Sequence, residues 1–159
     1  MRFTIVAVGK LKERFWADAC AEYMKRLQPY AKTSVVEIPD VDPGRVGGEE
    51  AAKSREGESI LRALDALPDR TRAVLLAIGG KMRSSENLAG HLEELALNGS
   101  SDLAFVIGGS CGVSDAVAVH ADETLSFGPI TLPHNLARVV LLEQLYRACK
   151  INRNEPYHK

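Results

Sequence analysis

The chain has 159 residues, of which 45% are hydrophobic and 26% charged, the proportions of one globular domain rather than of a disordered segment or a coiled coil. Its formal net charge of -1 provides no global basic field for nucleic acid, so any such role must use a local patch. Three scattered cysteines (Cys20, Cys111, Cys149) fit neither a disulfide framework nor a zinc site, and a reducing cytoplasm is the expected compartment.

The opening run MRFTIVAVGK reads as a strand over residues 2–8, without the small-residue cleavage site of a secretion signal. Residues 12–27 place Phe15, Ala19 and Tyr23 beside Trp16, Cys20 and Met24 on adjacent i, i+4 rows of a helix that Pro29 ends. A second strand is expected over 33–38, a Pro/Gly loop over 39–48, and a helix over 49–67 with one weak interior position, Gly57. RAVLLAI at 72–78 is the third strand, and Gly79-Gly80 reads as the loop that leaves it. A helix over 84–97 carries Glu86 as the third residue of a capping box, and a fourth strand covers 102–108. A short helix (114–120), a short strand (123–127), the segment GPITLPHN and a last helix over 135–149 complete the chain. Strands alternating with helices imply an α/β fold, a single domain with a mostly parallel sheet and helices on both faces. No apolar run approaches the roughly 20 residues needed to cross a bilayer.

Charge is uneven along this order. Residues 39–69 carry a net charge of -4 and residues 133–159 a net of +3 before His134 and His158 are counted, so the C-terminal segment is the expected anion-facing end.

Glycines follow three strands: Gly9, Gly79-Gly80, and Gly108-Gly109 with Gly112. In a parallel sheet the carboxyl ends of the strands line the ligand crevice, and glycine lets backbone approach a ligand closely. A tight turn with no ligand explains the same glycines equally well, and neither a Walker motif nor a complete dinucleotide fingerprint is present. Between Phe127 and His134 two prolines bracket an apolar tripeptide, either a stiff crossover or a loop whose amides face a planar, uncharged ligand edge. Nine of the thirteen residues from Leu136 to Ala148 are apolar, so the last helix needs more than one covering surface, and a second subunit is expected on one of them. Glu143 and Arg147 lie one turn apart, as an i, i+4 ion pair or as site residues. The terminal PYHK combines an aromatic, an imidazole and a cation, suited to stacking on a splayed base and pairing with phosphate. His91 and His120 have no partner motif and read as surface residues.

VGK after the first strand, GGKxxSSExLA after the third, FVIGGSxG after the fourth, LSFxxxTxPHxLxRVVLxEQLYRAxKI and the terminal PYHK together resemble the RlmH family, the minimal SPOUT methyltransferases. The resemblance runs from Arg2 to Lys159, although Ser110-Cys111 stands where the family often has other polar residues or proline. It implies an α/β fold with a C-terminal trefoil knot, S-adenosylmethionine as methyl donor, a homodimer packed through the last helix, and N3 of the pseudouridine at position 1915 of 23S ribosomal RNA, within the ribosome, as the methyl acceptor. No metal and no membrane partner are implied. Carried over by motif, cofactor contacts would come from Leu76, Gly108, Gly109, Phe127, Gly128, Pro129, Ile130, Thr131 and Leu132. His158 and Glu143 would be candidate bases for the N3 proton, Arg138 and Arg147 anion stabilisers, and Tyr157 a stacking residue. A dinucleotide oxidoreductase would require a complete phosphate fingerprint, and a non-enzymatic ribosome-binding dimer would lack a cofactor pocket.

Overall fold

A computed structural model of the chain describes residues 1–157. Five strands, β1 (Arg2–Val8), β2 (Lys32–Ile38), β3 (Arg72–Met82), β4 (Asp102–Ile107) and β5 (Glu123–Ser126), form one sheet in the order β2-β1-β4-β3-β5, and every pairing is parallel. Helices α1 (Arg14–Leu27), α2 (Pro43–Val46), α3 (Glu49–Asp65), α4 (Ser85–Leu97), α5 (Asp115–His120) and α6 (His134–Asn152) cover its two faces.

The β1 run of apolar residues feeds both layers, because alternate side chains of a strand point to opposite faces. Phe3, Ile5 and Ala7 join a core with Leu27 of α1, Leu88 and Leu92 of α4, and Leu141, Leu142 and Leu145 of α6. Val6 and Val8 join the other core, with Ile60 and Leu64 of α3 and Val117 of α5.

Three local expectations change. First, β3 does not stop at Ile78. Leu76 and Lys81 both pair with Leu125, with residues 77–80 bulging between them, so Gly79-Gly80 belongs to an irregular strand that arches past β5 rather than to a free loop. A Cβ on Gly80 would lie 3.0 Å from the backbone carbon of Leu125, so two main chains touch where the sequence shows only a glycine pair. Second, Gly57 is a contact, not a weak point: a Cβ there would fall 2.2 Å from Ser114 Oγ, and the helix α3 runs against the start of α5. Third, α4 is capped by Ser84, whose Oγ accepts the Asn87 N–H at 3.1 Å. Asn87 is therefore at the third helical position and Glu86 at the second, so Glu86 does not close a capping box. The short α2, inside the expected loop, is set by Asp42, which accepts the Gly44 N–H at 2.9 Å, with Pro43 at its first position.

From the β5 edge the chain returns across the carboxyl ends of the strands to α6, which packs on β1 and β4 between α1 and α4. Its apolar residues are thus met largely within the chain: Leu141, Leu142, Leu145 and Ala148 are buried, and only half-buried positions such as Val140 look outward. Helix α6 ends in a Schellman turn. Asn154 is left-handed (φ 53), its N–H donates to the Ile151 carbonyl, and the Glu155 N–H donates to the Lys150 carbonyl, both at 2.9 Å. The turn folds the terminal residues back along the helix they have just left.

Candidate active site

The carboxyl ends of β3, β4 and β5 bring together the segments that the sequence singled out. Leu76 sits where β3 begins to bulge and is half-buried, as are Gly108, Gly109, Phe127 and Gly128, while Pro129, Ile130 and Thr131 are exposed and Leu132 half-buried. Ser126, almost fully buried, knits two of these segments: its Oγ donates to the Ile78 carbonyl at 2.7 Å and accepts the Gly128 N–H at 3.1 Å. Among the described residues none accepts a hydrogen bond from the N–H groups of Ile130, Thr131 or Leu132. The loop thus offers a row of backbone donors next in sequence to the half-buried ring of Phe127. A cleft of about 300 Å³ opens next to it, lined by Met82, Leu88, Leu125, Phe127, Val140 and Gln144 among others. It takes in Phe127 and Gly128 but not Leu76, Gly108 or Gly109.

Gly108 and Gly109 are explained by the protein's own packing. A Cβ on Gly108 would meet Val113 Cγ1 at 2.7 Å, and one on Gly109 would meet Glu56 Oε2 at 2.8 Å and Val8 Cγ1 at 3.0 Å. The tight-turn alternative therefore suffices for the pair. Glu56, which the sequence reading passed over, is 5% exposed. Its Oε1 accepts the Val41 N–H at 2.8 Å, while Oε2 has no hydrogen-bond partner among the described residues. It ties the loop after β2 to α3 and lies against Gly109 in the loop after β4. The visible signal was a glutamate on the inner row of α3, four residues before Ile60.

The second cluster lies on α6. Glu143 Oε1 accepts two N–H groups of Arg147 at 3.0 and 2.6 Å and the Tyr157 hydroxyl at 3.0 Å, and Glu143 Oε2 accepts from Gln144 at 2.6 Å. The Arg147 guanidinium lies 4.6 Å from the Tyr157 ring centroid, and Tyr146 packs edge-on against the same ring at 4.9 Å. Burial, with hydrogen bonds to Tyr23 and Glu143, drives the Tyr157 phenol well above its ordinary range, so it stays a neutral donor. The bonded carboxylate beside Arg147 raises the guanidinium's pKa further. The structure therefore joins Glu143, Arg147 and Tyr157 into one unit. His158, and Lys159 with it, lies outside the described residues.

Arg138 is not part of that unit. It is 1% exposed, and its guanidinium donates to Glu37 Oε1 at 2.7 Å and to the Gly9 carbonyl at 2.8 Å. A buried guanidinium committed to a carboxylate and a carbonyl locks α6 onto the ends of β1 and β2. This corrects the expectation of an anion stabiliser at Arg138. His91 also departs from its reading as a plain surface residue, since its Nε2 lies 2.7 Å from Glu123 Oε2, which Arg83 also approaches at 3.5 Å. Among the described residues there is no group of three or more His, Cys, Asp or Glu that could hold a metal ion, and no helix is long and apolar enough to cross a membrane.

Over residues 1–158 the chain matches the family model described as "Predicted SPOUT methyltransferase". It is 49% identical over 159 residues to the ribosomal RNA large subunit methyltransferase H of Listeria welshimeri, and 50% identical over 160 residues to the protein of the same name from Bacillus thuringiensis, each time covering 100% of both chains. Among solved structures, that of "a probable methylase family protein from Haemophilus influenzae Rd KW20" superposes with a TM-score of 0.55 at 14% identity, over 99% of this chain and 70% of that one, which speaks for the fold alone. The five-stranded parallel sheet, the loops gathered at its carboxyl end and near-50% identity over the full length agree: the chain belongs to the SPOUT methyltransferases and, within them, to the RlmH family.

Proposed function

We propose that this protein is an S-adenosylmethionine-dependent methyltransferase of large-subunit ribosomal RNA, acting as a cytoplasmic homodimer on N3 of the pseudouridine at position 1915 of 23S RNA in the assembled ribosome. The observation that carries the reading is the match along the whole chain to proteins named ribosomal RNA large subunit methyltransferase H. The deep trefoil knot implied by the family belongs to the same proposal.

The loop of residues 127–132 fits the cofactor. Uncommitted amides at Ile130, Thr131 and Leu132 suit the hydrogen-bonding edge of an adenine, and Leu76 and Phe127 supply apolar contact for its faces. When bound, S-adenosylmethionine supplies a sulfonium methyl group open to displacement by a ring nitrogen. The protein's own residues handle the proton and the charge on that nitrogen. An N3–H whose pKa lies above neutrality must pass its proton to a base or have the resulting anion stabilised. Glu143 has its oxygens engaged by Arg147, Tyr157 and Gln144, so it orients those groups and leaves proton removal to His158. Arg147 is held at the end of this unit to stabilise the developing anion, and Tyr157 places the segment that carries His158. The half-buried Val140, with Phe127 and Met82 along the cleft, forms the surface offered to the second subunit.

The test removes residues 157–159 and measures methyl transfer to ribosomes alongside calorimetric titration with S-adenosylmethionine. Methylation should disappear while cofactor affinity holds, and His158→Ala should lower the rate by roughly 10²–10⁴ if the imidazole takes the proton. A truncated protein that methylates at the full rate defeats the assignment of the tail.

A further inference from the structure

All four tyrosines of the chain, Tyr23, Tyr30, Tyr146 and Tyr157, meet in one contact network between α1 and the C-terminal turn. Ring centroids are 6.4 Å apart for Tyr23 and Tyr146, 5.9 Å for Tyr30 and Tyr146, and 4.9 Å for Tyr146 and Tyr157. At its outer end, Glu155 Oε2 accepts the Tyr30 hydroxyl and the Lys150 ammonium, both at 2.5 Å. The Arg153 guanidinium lies 4.7 Å from the Tyr30 ring centroid and donates to the Pro29 carbonyl at 3.3 Å. Tyr30 stands 125 residues from Glu155, on the turn between α1 and β2, so the contact fastens the chain's last turn to the body of the domain.

We propose that Tyr30, Lys150 and Glu155 form a clasp that positions the terminal Tyr157-His158-Lys159 segment for methyl transfer. Chain ends fray unless they are tied down, because holding the backbone in one conformation costs entropy. The Schellman turn at Asn154 sets only the direction in which the tail leaves α6. A two-donor link to Glu155, one residue beyond that turn, sets its distance from α1. Tyr157, two residues further on, then reaches back to Glu143, fourteen positions earlier in the chain. The members of the clasp act through the segment they hold, and they are positioning residues. The inference rests on the reading of the tail as part of the active site.

Tyr30→Phe removes a single hydroxyl and Glu155→Gln a single charge. With methyl-free ribosomes as substrate, each should lower kcat about 5- to 20-fold, inside the hundredfold that a displacement of about 1 Å can cost, while KM for S-adenosylmethionine and Tm stay near wild type. The double variant should be no slower than the slower single one, because both changes break one link. Carboxypeptidase should release Lys159 faster from all three. Exchanging the partners, Lys150→Glu with Glu155→Lys, should restore part of the lost rate. Losses that multiply, or an unchanged kcat, overturn the clasp. Deleting residues 158–159 separates the two readings. If the deletion abolishes methylation and the clasp variants do not lower it, the clasp alone fails; if the deletion leaves the rate intact, the catalytic tail fails and takes with it any catalytic purpose for the clasp.

Discussion

Gly109→Ala distinguishes packing from ligand approach as the reason for the glycine pair after β4. No positive φ is found at Gly109, so alanine can adopt its backbone and the cost is steric. The new methyl would sit 2.8 Å from Glu56 Oε2 and 3.0 Å from Val8 Cγ1, and neither neighbour can swing clear, since Val8 is 1% and Glu56 5% exposed. Overpacking of this kind costs about 1–3 kcal/mol. For a chain of this length about 2 kcal/mol lowers Tm by roughly 4–8 °C. A double-mutant cycle with Glu56→Ala sharpens the test. Removing Glu56 deletes the nearer contact and leaves Val8, so the cost of Gly109→Ala in that background should shrink by about 1 kcal/mol, within the range seen for touching residues. Glu56→Ala is itself destabilising by about 1 kcal/mol or more through the orphaned Val41 N–H. Thermal and urea unfolding of the four proteins measure the cycle, and calorimetric titration with S-adenosylmethionine runs alongside. Strict additivity, or an unchanged Tm with weakened cofactor binding, would refute the packing account and restore ligand approach as the reason for glycine.

Arg138→Ala should destabilise the fold by about 2–3 kcal/mol, below the value for fully buried pairs because Glu37 is 35% exposed; lysine should rescue little, since it lacks the planar fork that reaches both Glu37 and the Gly9 carbonyl. The salt slope of ribosome binding should not move in that variant, whereas loss of a phosphate contact would reduce it by about one. The clasp should open at both ends of the pH scale. Hydrogen bonds from Lys150 and Tyr30 hold the Glu155 pKa below 4.5, so its contribution is present above that value and lost as pH falls through the lower, folded one. The bond to Glu155 raises the Tyr30 pKa above 10, so that contribution is present below 10 and lost as pH climbs through the raised one; carboxypeptidase release of Lys159 against pH measures both limbs. Val140→Glu, placing a charge in the cleft beside Phe127, should give monomers in light scattering at micromolar concentration if the cleft is the subunit contact, and a variant that keeps the wild-type mass would place the contact elsewhere.

Elements whose cause is local were legible in the sequence. Strand and helix boundaries follow from period and from signals such as Pro29, and they agree with the structure to within a few residues for most elements. What the sequence concealed was decided by neighbours distant along the chain. Gly57 looks like a helix defect until Ser114, 57 residues later, is seen against it. Gly79-Gly80 looks like a loop because nothing local announces that Leu125 will pair on both sides of the bulge.

The candidate site divides along the same line. The spacing of Glu143 and Arg147 predicts their ion pair, since an i, i+4 relation is fixed by the helix itself. That Tyr157 joins them depends on Asn154 taking the left-handed conformation that asparagine tolerates better than most residues. Arg138 shows the opposite limit. On a helical wheel it is a cation on a basic C-terminal segment, and charge counting assigns it to phosphate; in the fold its row faces the ends of β1 and β2, where Glu37 and the Gly9 carbonyl await it. A formal charge of +3 over residues 133–159 therefore overstates what the surface presents. Glu143 and Glu155 already cancel Arg147 and Lys150 in that sum, and Arg138 is buried against Glu37, so the positive potential available to RNA comes from the exposed Arg153 and the terminal residues beyond Tyr157.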